Sequence, residues 1–456
     1  MMWSNLDSVY FVGIGGIGMS ALARFFKVRE KHVAGYDRVS GALTDQLMRE
    51  EIDIHFIDNV ALIDDAFKDP ERTLVIYTPA VPETHEELNY FRKHGFRVIK
   101  RSVALGEVFN ASYGIAVAGT HGKTSVSTML AHIMADSGHG CNAFLGGIAK
   151  NFDSNLVVHP TSELVIAEAD EYDRSFLALY PQMAVVTSMD DDHLDIYGSR
   201  EKLIKGFESF IAQVADKGKV IIKKEVPLDV PANLRVFTYS MEDPDADYSL
   251  QALSLQERAY LMTVKTPKNI FEATLGIPGK VNVENALAAI AVADQLGVPL
   301  EGISKACTTF RGVKRRFDVQ VNRDDRIYID DYAHHPEEIR AFIESVRSIY
   351  PDKRITGIFQ PHLYSRTRDF ATGFAESLSL LDELVLLDIY PAREEPIAGV
   401  TSEMIFQNVD LREKVLISND LLMKVMEERD PELLLTMGAG DIDRLVEPLK
   451  SWMEQR

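Results

Sequence analysis

The sequence predicts an α/β protein of three domains: a Rossmann-like N-terminal domain, a P-loop ATPase-like central domain and a Rossmann-like C-terminal domain. Three observations carry this prediction. Short apolar runs alternate with helix-length segments along most of the chain, as they do when parallel sheets are joined by crossover helices. Two strand-to-helix junctions hold glycine loops, Gly13-Ile-Gly-Gly-Ile-Gly18 and Gly119-Thr-His-Gly-Lys-Thr124. A chain of 456 residues has room for about three domains. With linkers read near Asn110 to Tyr113 and Thr309 to Lys314, the domains are expected at 1–110, 111–312 and 313–456.

Composition narrows the class of partner. The formal net charge of −20 argues against a nucleic-acid or anionic-membrane surface and leaves small molecules as substrates. Only Cys141 and Cys307 occur, without pairing or metal spacing, as expected in a reducing compartment. The first residues lack a basic start with a signal-like apolar core. The longest apolar stretch, near Ala286 to Leu300, carries Asp294 and Gln295, so it reads as a packed helix rather than a membrane insertion. The expectation is a cytoplasmic enzyme, a monomer or weak homodimer.

Val9 to Val12 reads as a buried strand, followed by the first glycine loop and a helix to about Lys27. Gly13, Gly15 and Gly18 satisfy G-x-G-x-x-G, and Asp37 follows the next strand, where a ribose-binding acid belongs. The same loop cradles any diphosphate at a helix N-terminus; its alternative is a purely structural tight turn. Thr73 to Tyr77 is another strand, and the loop Thr78 to Pro82 lies at its C-terminal edge, where open α/β sheets bind ligands.

The central domain opens with the apolar run Ile115 to Ala118, the second glycine loop and a helix-like segment from Val126 to Ala135. Strand, glycine loop and helix together hold a triphosphate. Backbone N–H groups face the anion, Lys123 neutralises the β/γ-phosphates and the Thr124 hydroxyl is offered to Mg²⁺. The strict pattern G-x-x-x-x-G-K-[ST] is not met, because its first glycine falls at Val117. The strand Leu164 to Ala167 runs into Glu168-Ala-Asp-Glu171, and Ala184 to Thr187 runs into a segment holding Asp190, Asp191, Asp192 and His193. Glu168 with Thr124 and two phosphates suits Mg²⁺, which takes oxygen ligands and keeps waters. Acidic residues after strands also serve as solvated turns or helix caps, an equal alternative for Asp190 to Asp192. Gln251 to Leu275 reads as antiparallel strands. Asn282 and Asn285, three apart, share a helix face from which two carboxamides could read a purine edge, unless one is the N-cap.

Arg311 to Asp318 is a basic cluster in an acidic protein, either a solvated hinge or the source of an arginine for a transferring phosphoryl group. The strands Ile327 to Ile329, Arg354 to Phe359, Leu384 to Asp388 and Leu433 to Met437 each end in a loop rich in polar groups, the mark of another doubly wound sheet. Adjacent His334 and His335 with no cysteine nearby make a poor zinc site.

Taken together these motifs resemble the Mur ligases, in that family's order from Phe11 to Asp441. They run from Gly13 to Met19 and Gly119 to Thr124, through Glu168 to Glu171, Asp192 to Gly198 and Arg315 to Asp318. Asp330 to Pro336, Phe359 to His362 and Thr436 to Gly440 complete the series. The resemblance implies ATP-dependent ligation of L-alanine to the carboxylate of UDP-N-acetylmuramate through an acyl phosphate, in peptidoglycan precursor synthesis, with ATP and Mg²⁺ required. His121 fits this step, since ligases adding later residues usually carry asparagine or serine there. By resemblance, Lys123, His193 and Arg316 are catalytic, and Thr124, Glu168 and His193 serve the metal. Gly119, Thr120, His121, Gly122, Lys123, Thr124, Ser125, Asn282, Asn285 and Asp331 hold ATP. Gly15, Gly16, Ile17, Asp37, Thr78 and Ala80 hold the UDP portion, and Tyr332, His334 and Arg366 the amino acid. Two positions depart from the family pattern: Leu363 stands where arginine is frequent, and Tyr172 where many members have serine. Tyrosine at that place is shared with the related salvage ligase that adds a whole tripeptide, the alternative reading. The full Gly15 to Gly18 pattern, Phe176-Leu177 and His193 to Gly198 fit the L-alanine reaction better. A nicotinamide dehydrogenase, a different class, would leave Lys123, Glu168 and Arg316 without a task.

Overall fold

Apolar runs become parallel strands buried on both faces, as crossover helices require. In this computed structural model the described residues are 3, 5–190, 197, 199–256, 259–392 and 394–456. They form three sheets. The first has five parallel strands in the order Asp53–His55, His32–Tyr36, Ser8–Val12, Thr73–Tyr77, Arg97–Lys100. Its order reverses between Ser8–Val12 and Thr73–Tyr77, which opens a crevice at their C-terminal ends.

The second sheet has ten strands. At its centre Tyr113–Ala118 lies between Leu164–Glu168 and Met183–Val186, all parallel, with Ile115, Ala116, Val117 and Ala118 wholly buried. Lys219–Lys223 and Arg235–Ser240 extend it on one side, then the strands Tyr248–Gln256, Ala259–Lys265 and Ile270–Leu275. On the other side lies a hairpin of Asn142–Ala149 and Ser154–Val157. The helix Lys123–Asp136 follows the phosphate loop and is buried nearly all round, which places it inside the sheet's core.

The hairpin fastens the first two sheets together. Arg24, buried in helix Ile17–Val28, pairs with Glu50 and donates to the Asn155 carboxamide oxygen. Asn155 Nδ2 in turn donates to Ile17 O at 2.5 Å and Ser20 Oγ at 2.9 Å, so a fully buried amide is satisfied at both ends. Phe25 packs on Phe144 beside it, ring centroids 5.2 Å apart.

The third sheet runs Asp318–Asn322, Ile327–Asp331, Leu433–Met437, Ile355–Phe359, Glu383–Leu387, Lys414–Ile417, with only the first strand antiparallel to its neighbour. The chain divides into two compact units. One comprises Met1–Leu253, Leu261–Leu275 and Glu284–Arg311, and the other Ser254–Tyr260, Gly276–Val283 and Gly312–Arg456. The first sheet belongs to the first unit, as does the second apart from the ends of strands Tyr248–Gln256 and Ala259–Lys265, and the last sheet belongs to the second unit.

Candidate functional site

The first glycine loop turns because Gly13 takes a φ of 87°, which lets Gly13 N–H and Ile14 N–H both donate to Tyr36 O at 2.8 and 3.0 Å. Gly15 N–H donates to Asp37 Oδ2 at 2.7 Å. Thr78 closes the other side: a Cβ on Gly13 would stand 2.5 Å from its methyl group. The structure thus brings Gly15, Gly16, Ile17, Asp37 and Thr78 to one edge, with Ala80 exposed further along the loop.

At the second loop Gly119 and Gly122 have φ of 133° and 84°. Neither tolerates a side chain, since Thr187 stands against one and Asn285 Oδ1 2.6 Å from a Cβ on the other. Thr187 Oγ1 donates to His121 O, and His121 N–H donates to Ser188 Oγ at 2.8 Å. Thr120 Oγ1 lies 2.9 Å from Ser188 Oγ and accepts from Asp190 N–H at 3.0 Å. The loop is therefore clamped by the end of the neighbouring strand Met183–Val186, with Ser125 partly exposed on the first helical turn.

Lys123 Nζ donates to Gly119 O at 2.7 Å and to both oxygens of Glu171, at 3.0 and 2.9 Å. Glu171 is wholly buried, and Tyr197 Oη donates to its backbone carbonyl at 2.9 Å. Burial opposes the charge on Lys123, but Glu171, Asp170 and Glu168 together outweigh it and hold its pKa above the ordinary lysine value. Glu168 accepts from Thr124 Oγ1 at 3.1 Å, Ser127 Oγ at 3.2 Å and Gly146 N–H at 2.5 Å. Burial raises its pKa despite these donors. Glu171 as the partner of Lys123, and Ser127 and Gly146 on Glu168, were not anticipated. The acidic run Glu168 to Asp173 was visible, but not which of its carboxylates turns inward.

Thr124 and Glu168 are a pair of hard oxygen donors fit for Mg²⁺. Among the described residues no three His, Cys, Asp or Glu groups converge on a metal position, so phosphate oxygens and waters would complete the shell. His193, Asp191 and Asp192 lie outside the described residues. Asn285 abuts the loop, whereas the Asn282 amide donates to Pro278 O at 2.6 Å.

In the second unit, Asp331 pins the basic turn. Its oxygens accept Phe317 N–H at 2.6 Å and Ala333 N–H at 2.7 Å, across a segment where Arg315 and Phe317 have φ of 64° and 44°. Burial pushes the Asp331 carboxyl up to about 6, against the nearby Arg316 charge and these two donors. Arg315 is structural: it donates to buried Asp330 at 3.1 Å and to Gly438 O at 2.6 Å. Both guanidinium groups lie over the Tyr332 ring, Arg315 at 5.3 Å and Arg316 at 5.1 Å. His334 Nδ1 lies 3.0 Å from Tyr332 O and 3.3 Å from Glu338 Oε2, and burial pushes its pKa down to about 4, so it is neutral near pH 7. Arg366 Nη1 is 3.5 Å from His362 Nδ1, and the His334 and His362 rings are 6.3 Å apart. Tyr332, His334 and Arg366 thus gather on one edge of the third sheet, beside Leu363, whose φ is 71°.

Three family profiles match in succession. "Mur ligase family, catalytic domain" covers residues 8–113, "Mur ligase middle domain" 117–293, and "Mur ligase, glutamate ligase domain" 315–440. A UDP-N-acetylmuramate–L-alanine ligase of Parabacteroides distasonis is 51% identical over 98% of this chain and 97% of its own length. A protein of the same name from Flavobacterium johnsoniae is 44% identical over the whole of both chains. The crystal structure of the UDP-N-acetylmuramate–alanine ligase of Thermotoga maritima superposes with a TM-score of 0.84 at 28% identity, over 98% of this chain and 100% of that one. A murein peptide ligase of Psychrobacter arcticus shares the fold, with a TM-score of 0.71 at 22% identity over 99% of both chains.

Proposed function

The chain belongs to the Mur ligase family, and from that premise we infer that it is the ligase joining L-alanine to the carboxylate of UDP-N-acetylmuramate, at the expense of ATP, in peptidoglycan precursor synthesis. The observation that carries this reading is the full-length identity, 51% and 44%, to proteins named for that reaction. The salvage reading draws only on a likeness of fold. We propose the division 1–110 for the UDP substrate, 111–312 for ATP and 313–456 for the amino acid, and a cytoplasmic enzyme that works as a monomer or weak homodimer. Among the described residues no helix is long and apolar enough to cross a membrane.

The chemistry follows from what each residue can do. A lactyl carboxylate is a poor electrophile, so ATP must first convert it to an acyl phosphate, which the amine of L-alanine then attacks. Lys123, kept cationic by three carboxylates, leaves Glu171 to meet the β/γ-phosphates, and the N–H groups of the first turn of helix Lys123–Asp136 hold them in place. Mg²⁺ held by Thr124 and Glu168, with His193, would supply neutralising charge for the phosphates. Arg316 is assigned to the transferring phosphoryl group, and Asn282, Asn285 and Asp331 to the nucleoside. Arg366 is assigned to the α-carboxylate of alanine, a charge-assisted contact that neutral His334 cannot make in its place. Gly15, Gly16, Ile17, Asp37, Thr78 and Ala80 hold the UDP portion.

Phosphate release tests the reading. With ATP, Mg²⁺ and UDP-N-acetylmuramate present, L-alanine should give the highest kcat/KM, with glycine and L-serine poorer by about 1–3 kcal/mol, the scale of one methyl or hydroxyl misfit. A clear preference for L-alanyl-γ-D-glutamyl-diaminopimelate over alanine would establish the salvage reaction instead.

A further inference from the structure

The first glycine loop has no cation in its own sequence with which to meet a diphosphate, in contrast to the loop at Lys123. Helix Ile17–Val28 begins at Gly16 without a side-chain cap and without an acidic residue in its first turn. The crevice beside it lies at the reversal of strand order, between the C-terminal ends of Ser8–Val12 and Thr73–Tyr77. Strand Arg97–Lys100 is the next neighbour of Thr73–Tyr77, and it leads directly into helix Arg101–Asn110. The first residue of that helix lays its side chain over Gly18. A Cβ built on Gly18 would stand 2.8 Å from Arg101 Nη1, 3.1 Å from its Cδ and 3.4 Å from its Cζ. In a dinucleotide fingerprint the third glycine gives room for helix and strand to pack; here its open face is filled by a guanidinium.

Arg101 is partly buried and, among the described residues, has no hydrogen bond, ion pair or ring contact, in a chain whose net charge is −20. Neighbouring arginines are engaged: Arg97 pairs with Glu107 at 2.5 Å and stacks on Trp3, and Arg24 pairs with Glu50 at 2.8 Å. A partly desolvated guanidinium left without an anion, beside uncapped helical N–H groups, is arranged for an anion that comes from outside the chain. Asp37 does not claim it, since one Asp37 oxygen accepts Gly15 N–H at 2.7 Å and the other Val39 N–H at 3.2 Å.

We propose that Arg101 is a diphosphate-binding residue of the UDP-substrate site, its guanidinium taking non-bridging oxygens of the diphosphate seated on the first turn of helix Ile17–Val28. The proposal rests on the reading that this loop holds the UDP portion. Because Arg101 addresses the phosphates and not the base, it contributes to the binding of UDP and of UDP-N-acetylmuramate but not of uridine.

Calorimetry on the full chain separates these possibilities. Arg101→Gln should weaken UDP and UDP-N-acetylmuramate by about ten- to a hundredfold, the range of a charge-assisted contact. Uridine and a non-hydrolysable ATP analogue should bind as to the parent. In turnover, KM for UDP-N-acetylmuramate should rise while kcat at saturation is kept. Gly18→Ala, whose methyl displaces the guanidinium without removing its charge, should weaken UDP in the same direction, and Arg101→Lys should recover part of the loss. UDP binding to Arg101→Gln at the parent's affinity, or an equal loss for uridine, overturns the proposal while leaving the function assigned above intact. A parent protein that binds no UDP overturns the assignment of the loop itself, and this proposal with it.

Discussion

At Gly13 to Gly18 the loop is held by neutral backbone contacts and by one carboxylate, Asp37, which accepts Gly15 N–H. At Gly119 to Thr124 the loop carries its own lysine, and that lysine sits among Glu168, Asp170 and Glu171. Both loops follow a parallel strand, both open a helix and both lie at the C-terminal edge of their sheet. The difference matches the roles proposed for them. A substrate that is only held needs hydrogen bonds that position it. A phosphoryl group that moves needs charge able to shift with it, and the Lys123–Glu171 pair stores a cation where such charge will develop.

The largest effect expected from this contrast is at Lys123. Lys123→Ala should lower ligation by about 3–4 kcal/mol of barrier, the scale of removing a charge-stabilising donor, measured as phosphate release at saturating substrates. Next comes Glu168→Ala, expected to cost about 2–3 kcal/mol and to raise the Mg²⁺ concentration needed for half-maximal rate. A Mg²⁺ titration that matches the parent's would remove Glu168 from the metal site. At the first loop the effects are smaller. Asp37→Ala frees Gly15 N–H and should weaken UDP-N-acetylmuramate by about 1–2 kcal/mol without altering ATP affinity; a loss of ATP affinity would mean that the loops are not independent.

A last effect, on stability rather than on activity, concerns what lies beneath the first loop. Glu87, wholly buried, accepts from Tyr10 Oη at 2.8 Å and Asn59 N–H at 3.1 Å and lies 2.7 Å from His55 Nε2, while His55 O accepts Asp37 N–H at 3.1 Å. Burial pushes the Glu87 pKa up to about 7, from 4.5. Between those values the folded chain binds more protons than the unfolded one, so this group's contribution to stability is lost as pH rises through the window and is constant above it. Glu87→Gln should flatten the fall in stability across that window by about 1–3 kcal/mol. Denaturant titrations at pH 5 and pH 8 give the comparison, and an undiminished slope would assign the effect to other groups.

Much of this was legible in the sequence, because strand, glycine loop and helix are local patterns. Both loops, the strands that lead to Glu168 and Asp331 (one and two residues longer than read), and Pro336 opening its helix stand where periodicity and turn chemistry put them. What escaped is non-local. The hairpin of Asn142–Ala149 and Ser154–Val157 joins the first two sheets through Asn155 and supplies Gly146 N–H to Glu168, yet its residues carry no motif. Glu171 differs from its acidic neighbours only in pointing at Lys123. Arg101 becomes conspicuous only once the fold sets it on Gly18. Asp331 shows the converse case: its position was readable, but its backbone hydrogen bonds to Phe317 and Ala333 were not.

The division of labour between the loops is tested most directly by calorimetry on a folded Lys123→Ala protein, titrated in turn with UDP-N-acetylmuramate and a non-hydrolysable ATP analogue. Affinity for UDP-N-acetylmuramate should match the parent's, together with a severe loss for the ATP analogue. Loss of UDP-N-acetylmuramate binding, with circular dichroism showing an intact fold, would contradict that division.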